Sequence, residues 1–265
     1  MGGWKGGRPL IAYAAQTGAA IRTAFADRGN FALQSAGMIV NDGFVLALWF
    51  MFFAGFRSVG GWKLPDVGLL MGLMMTIVGL AGMAFGGYRD MAATILKGEV
   101  DALLTQPGSV LLRLLARESI ASAWGDLALG LVILALYTGL DPARAALTAL
   151  MTLCGLTVYV GASVAFASLA FWIAGARSFS RDLTDFMLLF CTYPGSIFSG
   201  ASKLVAYTVL PAGFVVLTPV KVLRAPDPAT FATAASAALA YALIAWASFE
   251  VGLRRYRQGL SPMVA

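Results

Sequence analysis

Apolar runs long enough to cross a bilayer constrain this chain more than any other feature. Residues 33–56 read LQSAGMIVNDGFVLALWFMFFAGF, and residues 66–86 read DVGLLMGLMMTIVGLAGMAFG. Roughly 20 helical residues span the hydrocarbon core, where each backbone N–H and C=O must be satisfied within its own segment. Such runs are expected as transmembrane helices. Further runs at 121–140, 145–174, 184–203 and 230–252 bring the expected number of spans to six. Composition agrees: 59% of the 265 residues are hydrophobic and 12% are charged, against about 25% charged in a soluble domain. The expected fold class is an all-α integral membrane protein, with residues 1–265 forming a single transmembrane domain.

The segments between these runs are informative. Residues 8–29 interleave Leu10, Ile11, Tyr13, Ile21 and Phe25 with Arg8, Gln16, Arg22, Asp27 and Arg28. This pattern fits an amphipathic helix lying in the interface. Nothing in MGGWKGGRPLIAYAAQTGAA combines an uninterrupted apolar core with a small-residue cleavage site, so no signal peptide is expected. Residues 204–220 are apolar but carry Pro211, Gly213 and Pro219, which suits a re-entrant or interfacial hairpin better than a lipid-exposed span. With six spans and the N-terminus inside, Arg57, Lys63, Arg144, Lys203, Lys221 and Arg224 fall outside, leaving 13 of the 19 basic residues inside. A seventh span would weaken that bias. The excess of inner Lys and Arg therefore places both termini in the cytoplasm.

On this topology residues 95–107, ILKGEVDALLTQP, lie in a cytoplasmic loop. Leu96, Val100, Leu103 and Leu104 fall at i, i+4, i+7 and i+8, one face of a helix. Lys97 and Asp101 lie four apart on another face, spaced to pair, and Pro107 ends the element. The spacing predicts one short amphipathic helix over 94–107. Helices that rest in lipid headgroups carry Lys and Arg on the polar face. Here Glu99 and Asp101 suit a basic protein partner instead.

Catalytic chemistry is missing. The chain has no histidine, which removes imidazole metal ligation and a histidine proton relay. Cys154 and Cys191 sit inside apolar runs and read as small buried hydrophobes. GGWKGGR lacks the spacing and the hydroxyl residue of a phosphate loop. No metal, cofactor or catalytic residue is expected in this chain, so it is not expected to be an enzyme. The net charge of +6 is accounted for by cytoplasmic loops, and no nucleic-acid partner is expected.

A few polar groups lie at membrane depth. Asp42 and Asp126 sit several residues inside the first and third runs. A charge at the bilayer centre costs about 2.5–3.5 kcal/mol on insertion scales, so it normally faces protein or water. Two readings stand: the carboxyls line a cavity, or they sit near the interface, hydrated or paired with Arg22, Arg28 or Arg117. In the fifth run Tyr193, Pro194, Gly195, Phe198 and Ser199 mark a helix break, either a gate or a kink.

The stretch ILKGEVDALLTQPGSVLLRLLARESIASAWGDLALGLVILAL resembles the loop and third span of bacterial ABC-2-type transporter permeases, in the branch that includes viologen-type exporters. The resemblance rests on Ile95, Gly98, Val100, Asp101, Leu104 and Pro107, followed by Gly125-Asp126, and extends through YPGSIFSG and VLPAGFVVLTPV. It implies a permease subunit of six spans, with a connecting helix at 8–29, a coupling helix at 94–107 and a re-entrant segment at 204–220. It implies a cytosolic ATP-binding cassette subunit carrying Mg-ATP, a second permease chain, identical or not, and a bacterial inner membrane. Lys97, Gly98, Glu99, Asp101, Leu104 and Pro107 are then the coupling residues. Asp42, Asp126, Tyr193, Pro194 and Phe198 are candidates for a substrate path, and the implied substrate is a hydrophobic or cationic organic compound or a lipid. An ion-coupled secondary transporter and a non-transporting scaffold are the competing expectations.

Overall fold

The computed structural model describes residues 9–58, 60–106, 108–139 and 141–259, and among them there is no strand. Helix α1 (Pro9–Ala24) turns at Phe25–Asp27 into α2 (Arg28–Gly55), whose first turn is capped by the Asp27 carboxylate accepting from Asn30 N. α3 (Leu64–Phe85) runs back and continues through a tight turn at Gly86–Tyr88 into α4 (Met91–Leu96). Two short helices, α5 (Asp101–Leu104) and α6 (Val110–Leu115), lead to α7 (Ala121–Thr138) and α8 (Pro142–Ser168). Then come α9 (Ala176–Cys191), α10 (Gly200–Tyr207), α11 (Thr218–Arg224) and α12 (Pro228–Arg257). Five helical stretches are long and apolar enough to cross a membrane: Arg28–Gly55, Leu64–Leu96, Ala121–Thr138, Pro142–Phe171 and Pro228–Arg257.

The run expected as a fifth span, 184–203, is not one helix. α9 begins earlier, at Ala176, and stops at Cys191. Pro194 and Gly195 then break it, as proline lacks the N–H that would continue the ladder. Its 16 residues reach only about 24 Å at 1.5 Å per residue, short of the bilayer's roughly 30 Å core. The following segment holds α10, a turn at 208–212, and a wide turn at Gly213–Leu217 that opens into α11. In that wide turn Thr218 donates from both its backbone N and its hydroxyl to the Gly213 carbonyl. Ala212, Val215, Val216 and Val220 are buried among α3, α8 and α12. Non-helical backbone at this depth is thus covered by protein, as lipid solvation requires.

Glycine sets the packing of the bundle. Gly72, Gly79 and Gly82 form a stripe on α3 that receives α7, Gly86 just beyond it receives the chain at Glu118–Ile120 that leads into α7, and Gly130 of α7 receives α3 in return. A Cβ on Gly79 would lie 2.5 Å from Leu127 N, and one on Gly130 would lie 2.6 Å from Thr76 N. Small residues let the two backbones approach until dispersion contacts replace what lipid would otherwise supply. α3 is buried all round by Met71, Leu73, Met75 and Ile77. α8 completes the centre with Val158 and Tyr159, and Phe171 packs edge-on against Phe249 of α12. α2 and α12 lie at the periphery, with Phe44, Leu48, Phe50, Leu239, Leu243 and Trp246 exposed for lipid or protein neighbours. At the end opposite the α1 docking site, Arg224 pairs with Asp66 at 3.0 Å and lies over the Trp62 ring, tying α11 to the start of α3.

Overpacking the seam should be costly. Gly79→Leu is expected to lower the stability of the detergent-solubilised chain by about 3 kcal/mol, the upper end for overpacked cores. Gly43→Ala, with nothing within 4 Å of its added Cβ, should stay within about 0.5 kcal/mol. Thermal unfolding of the two variants checks this.

Candidate functional site

The polar end of the bundle is built from the chain that joins α3 to α7. The expected single helix over 94–107 is two helices here, because Gly98 adopts φ +74° and turns the chain between α4 and α5. A positive φ costs glycine little and other residues more. The turn alters the expected charge pairing. Lys97 lies 4.0 Å from Glu99 rather than against Asp101, and Glu99 pairs with Arg117 at 2.8 Å. Arg117 also donates to Thr94 Oγ1. The apolar positions nevertheless share one side: Val100 is buried, and Leu96, Leu103 and Leu104 pack on the same core. Lys97 and Asp101 are exposed, Gly98 and Glu99 half-buried. Tyr256, near the end of α12, hydrogen-bonds Asp101, and Arg113 donates to Gln106 Oε1. Pro107 lies outside the described residues. α1 rests on this region through Tyr13, which donates to the Ala84 carbonyl at 2.7 Å, and Gln16, which donates to that of Arg113 at 3.0 Å. Partial burial and the neighbouring Asp90 push the Glu118 carboxyl above its usual range, with Arg89 and Arg117 pulling the other way.

Beside this surface opens a polar cavity of about 340 Å³ between α8, α9 and the turn after α3. Tyr88 and Tyr159 meet at its floor, their hydroxyls 3.0 Å apart and both rings buried. Arg89, Ser163, Ser180, Arg181, Thr184 and Asp185 line the rest. Arg181 pairs with Asp90 at 3.0 Å. Sequence reasoning missed this site, because ARSFSRDLTD reads as a loop when only apolar runs are counted. The signal was helical: Arg177, Arg181, Thr184, Asp185 and Leu188 recur on one side of α9, and Phe179, Leu183, Phe186 and Phe190 on another.

The other sequence candidates fall elsewhere. Asp42 and Asp126 are brought together: both are buried where α2 packs on α7, with their carboxyls neighbouring each other. Asn41 reaches Asp42 at 3.5 Å. Neither aspartate lines the polar cavity, and Arg117, one arginine considered for them, is on Glu99 instead. Pro194 is buried at the break after α9. Tyr193 packs edge-on against Trp49 of α2 at 6.2 Å, and Phe198 stacks on Phe190 at 5.0 Å. Trp49 lies two turns beyond Asp42 on the same stripe of α2, about 10 Å further along the axis.

Long apolar helices, a polar end built around the short helices α4 and α5, and a broken segment before the last helix are joined by a sequence comparison. The model of the family described as ABC-2 family transporter protein matches residues 39–259. The chain belongs to this family. As an ABC-2 family member it is a transmembrane permease component, a multi-pass membrane protein of a class that is generally non-catalytic. Membership also implies association with an ATP-binding cassette subunit. No curated protein and no solved structure matches the chain.

The tyrosine pair is open to direct measurement. Tyr159→Phe leaves Tyr88 without its phenolic partner and should cost about 1 kcal/mol. Adding Tyr88→Phe should cost less than the sum of the single changes, a coupling that a double-mutant cycle on thermal unfolding reads out.

Proposed function

We propose that this chain is the membrane-spanning permease of an ATP-driven exporter whose ATPase docks on the polar end of the bundle. Membership in the ABC-2 family carries this reading. The element of α4 and α5 supports it: its leucines and Val100 are anchored in the core while Lys97 and Asp101 face outwards. A charged feature that continues from α3 through the Gly86–Tyr88 turn and packs against α8 and α9 can pass a movement of the partner to the spans. ATP then favours one of two bundle arrangements through contacts that differ between them. Mg-ATP belongs to the partner subunit. Lys97, Gly98, Glu99, Asp101, Leu104 and Pro107 form the coupling element, with Gly98 supplying its turn and Leu104 its anchor.

The charged end faces the cytoplasm on this reading, as the excess of Lys and Arg there requires. Both termini then lie in the cytoplasm, with the chain in a bacterial inner membrane. α9 with the α10–α11 segment makes the fifth of six crossings, and α10–α11 is the re-entrant part. A second permease chain covers α2, whose apolar residues are largely exposed. The substrate is a hydrophobic or cationic organic compound or a lipid. Asp42 and Asp126 supply negative groups along its route, with Tyr193, Pro194 and Phe198 at the far end. The carboxyl pair also favours a second reading, an ion-coupled transporter that needs no ATPase.

Affinity purification from native membranes in mild detergent separates the two: an ATP-binding subunit in roughly equal amount is expected, and a chain that is repeatedly isolated alone would sink the ATP-driven reading. Asp101→Lys should leave the chain inserted while abolishing most transport-coupled ATP hydrolysis. Asp101→Asn, which keeps an acceptor for Tyr256, should fall between. Asp42→Asn and Asp126→Asn should each reduce efflux of a lipophilic cation at an unchanged level of inserted chain. Unchanged efflux in both takes the carboxyls off the substrate route.

A further inference from the structure

Two opposite charges stand apart on the wall of the polar cavity. Arg89 and Asp185 both line it; neither forms a close ion pair with any described residue, and Arg89 meets the Tyr88 hydroxyl while Asp185 attracts it only from further across the cavity. The other cation there, Arg181, is already held by Asp90. The hydroxyls divide in the same sense. Ser163, Ser180 and Thr184 donate to carbonyls of their own helices at 2.8, 3.3 and 3.1 Å, so they offer lone pairs to the cavity. Tyr88 and Tyr159 share one hydrogen bond, which leaves the second phenolic O–H of the pair to donate. Phenolic donors from the turn after α3 and from α8 therefore accompany Arg89, while Ser180 and Thr184 accompany Asp185 on α9, where Arg181 is held by Asp90.

A ligand that fills such a site needs an oxyanion for the first group and an ammonium for the second. A simple anion would be repelled by the Asp185 carboxylate, and a simple cation by the Arg89 guanidinium, whereas a ligand with both charges is attracted at each end. The volume, about 340 Å³, lies within the roughly 300–1,000 Å³ of small-ligand pockets. Around α9 from the cavity, Phe179 and Phe186 are exposed and lie in position to meet acyl chains. The cavity also sits where α3 ends and the charged surface begins, the level at which Arg and Tyr reach headgroups.

We propose that this cavity binds a zwitterionic phosphate–ammonium headgroup, with the phosphate on Arg89 and the Tyr88–Tyr159 pair and the ammonium against Asp185, Ser180 and Thr184. Its part in transport rests on the permease reading above; the binding does not. Calorimetric titration of the purified full-length chain in a nonionic detergent tests it, with four probes: dihexanoyl-phosphatidylethanolamine, phosphoethanolamine, dihexanoyl-phosphatidylglycerol and tetraphenylphosphonium. Saturable binding of a phosphoethanolamine-bearing probe is expected, with the anionic lipid and the cation weaker by about tenfold or more. If phosphoethanolamine matches its lipid, the ligand is a soluble zwitterion; if only the lipid binds, it is a membrane lipid. Arg89→Gln and Asp185→Asn should each weaken that binding about tenfold, and Arg89→Lys should restore part of it. If Arg89→Gln lowers the melting temperature, Asp185→Asn on the exposed wall carries the comparison. Equal binding of the anionic lipid, or unchanged affinity in a stably folded Asp185→Asn, overturns the assignment. Because the measurement uses the chain alone, a missing ATPase partner would end the permease reading without touching this result.

Discussion

The close approach of α3 to α7 is the contact on which the remaining structure depends. Helices in lipid gain little from hiding apolar side chains, since the acyl tails are as apolar as leucine. They gain from fitting, and fitting is closest where one backbone meets another. The glycine stripe of α3 provides that approach over several turns. It fixes the height of α7 against α3, and hence the level at which Asp126 meets Asp42 from α2. It also holds the lower end of α3 firmly enough for the Gly86–Tyr88 turn to present Tyr88 and Arg89 at a defined place.

From that end the polar surface follows by short steps. Every break in the chain there has a local cause: Gly98 turns α4 into α5, and Ser109 caps α6 by accepting from Leu112 N. The charges between these breaks are largely paired with each other, as in Lys97–Glu99–Arg117 and Asp90–Arg181. Exposed pairs of this kind contribute only a few tenths of a kcal/mol to about 1 kcal/mol each. Their value lies in orientation: they set which groups remain available to a partner or a ligand, among them exposed Asp101 on one face and Arg89 with Asp185 in the cavity.

Much of this was legible beforehand, and the misses have definite causes. Apolar runs marked α2, α3, α7, α8 and α12 because lipid leaves a chain of that length no alternative to helix. The apolar side of 96–104 was visible from spacing, but the turn inside it was not. Gly98 is permitted in a helix and permitted in a left-handed turn, and only the packing of Val100 and Leu103 on the core decides between them. α9 was misplaced for the opposite reason. Its first two turns are charged, so a scan for hydrophobicity starts it at residue 184, whereas helical periodicity starts it near Ala176. The Tyr88–Tyr159 pair joins residues 71 apart in sequence, and nothing local to either tyrosine announces the other.

α9 has a consequence for how the protein is made. Its polar side carries Arg177, Arg181 and Asp185, with Asp182 close by, and each such charge opposes partitioning into lipid by up to about 2.5–3.5 kcal/mol at full depth. A helix of this composition has no stable station in the bilayer by itself. It becomes stable only when Ser163 and Tyr159 of α8, together with the end of α3, already stand beside it to share a wetted interior. Insertion of α9 is therefore expected to follow that of the first four long helices, with the α10–α11 segment closing over it. A helix that lines a water-filled space is in this sense a latecomer, admitted to the membrane by the protein that preceded it.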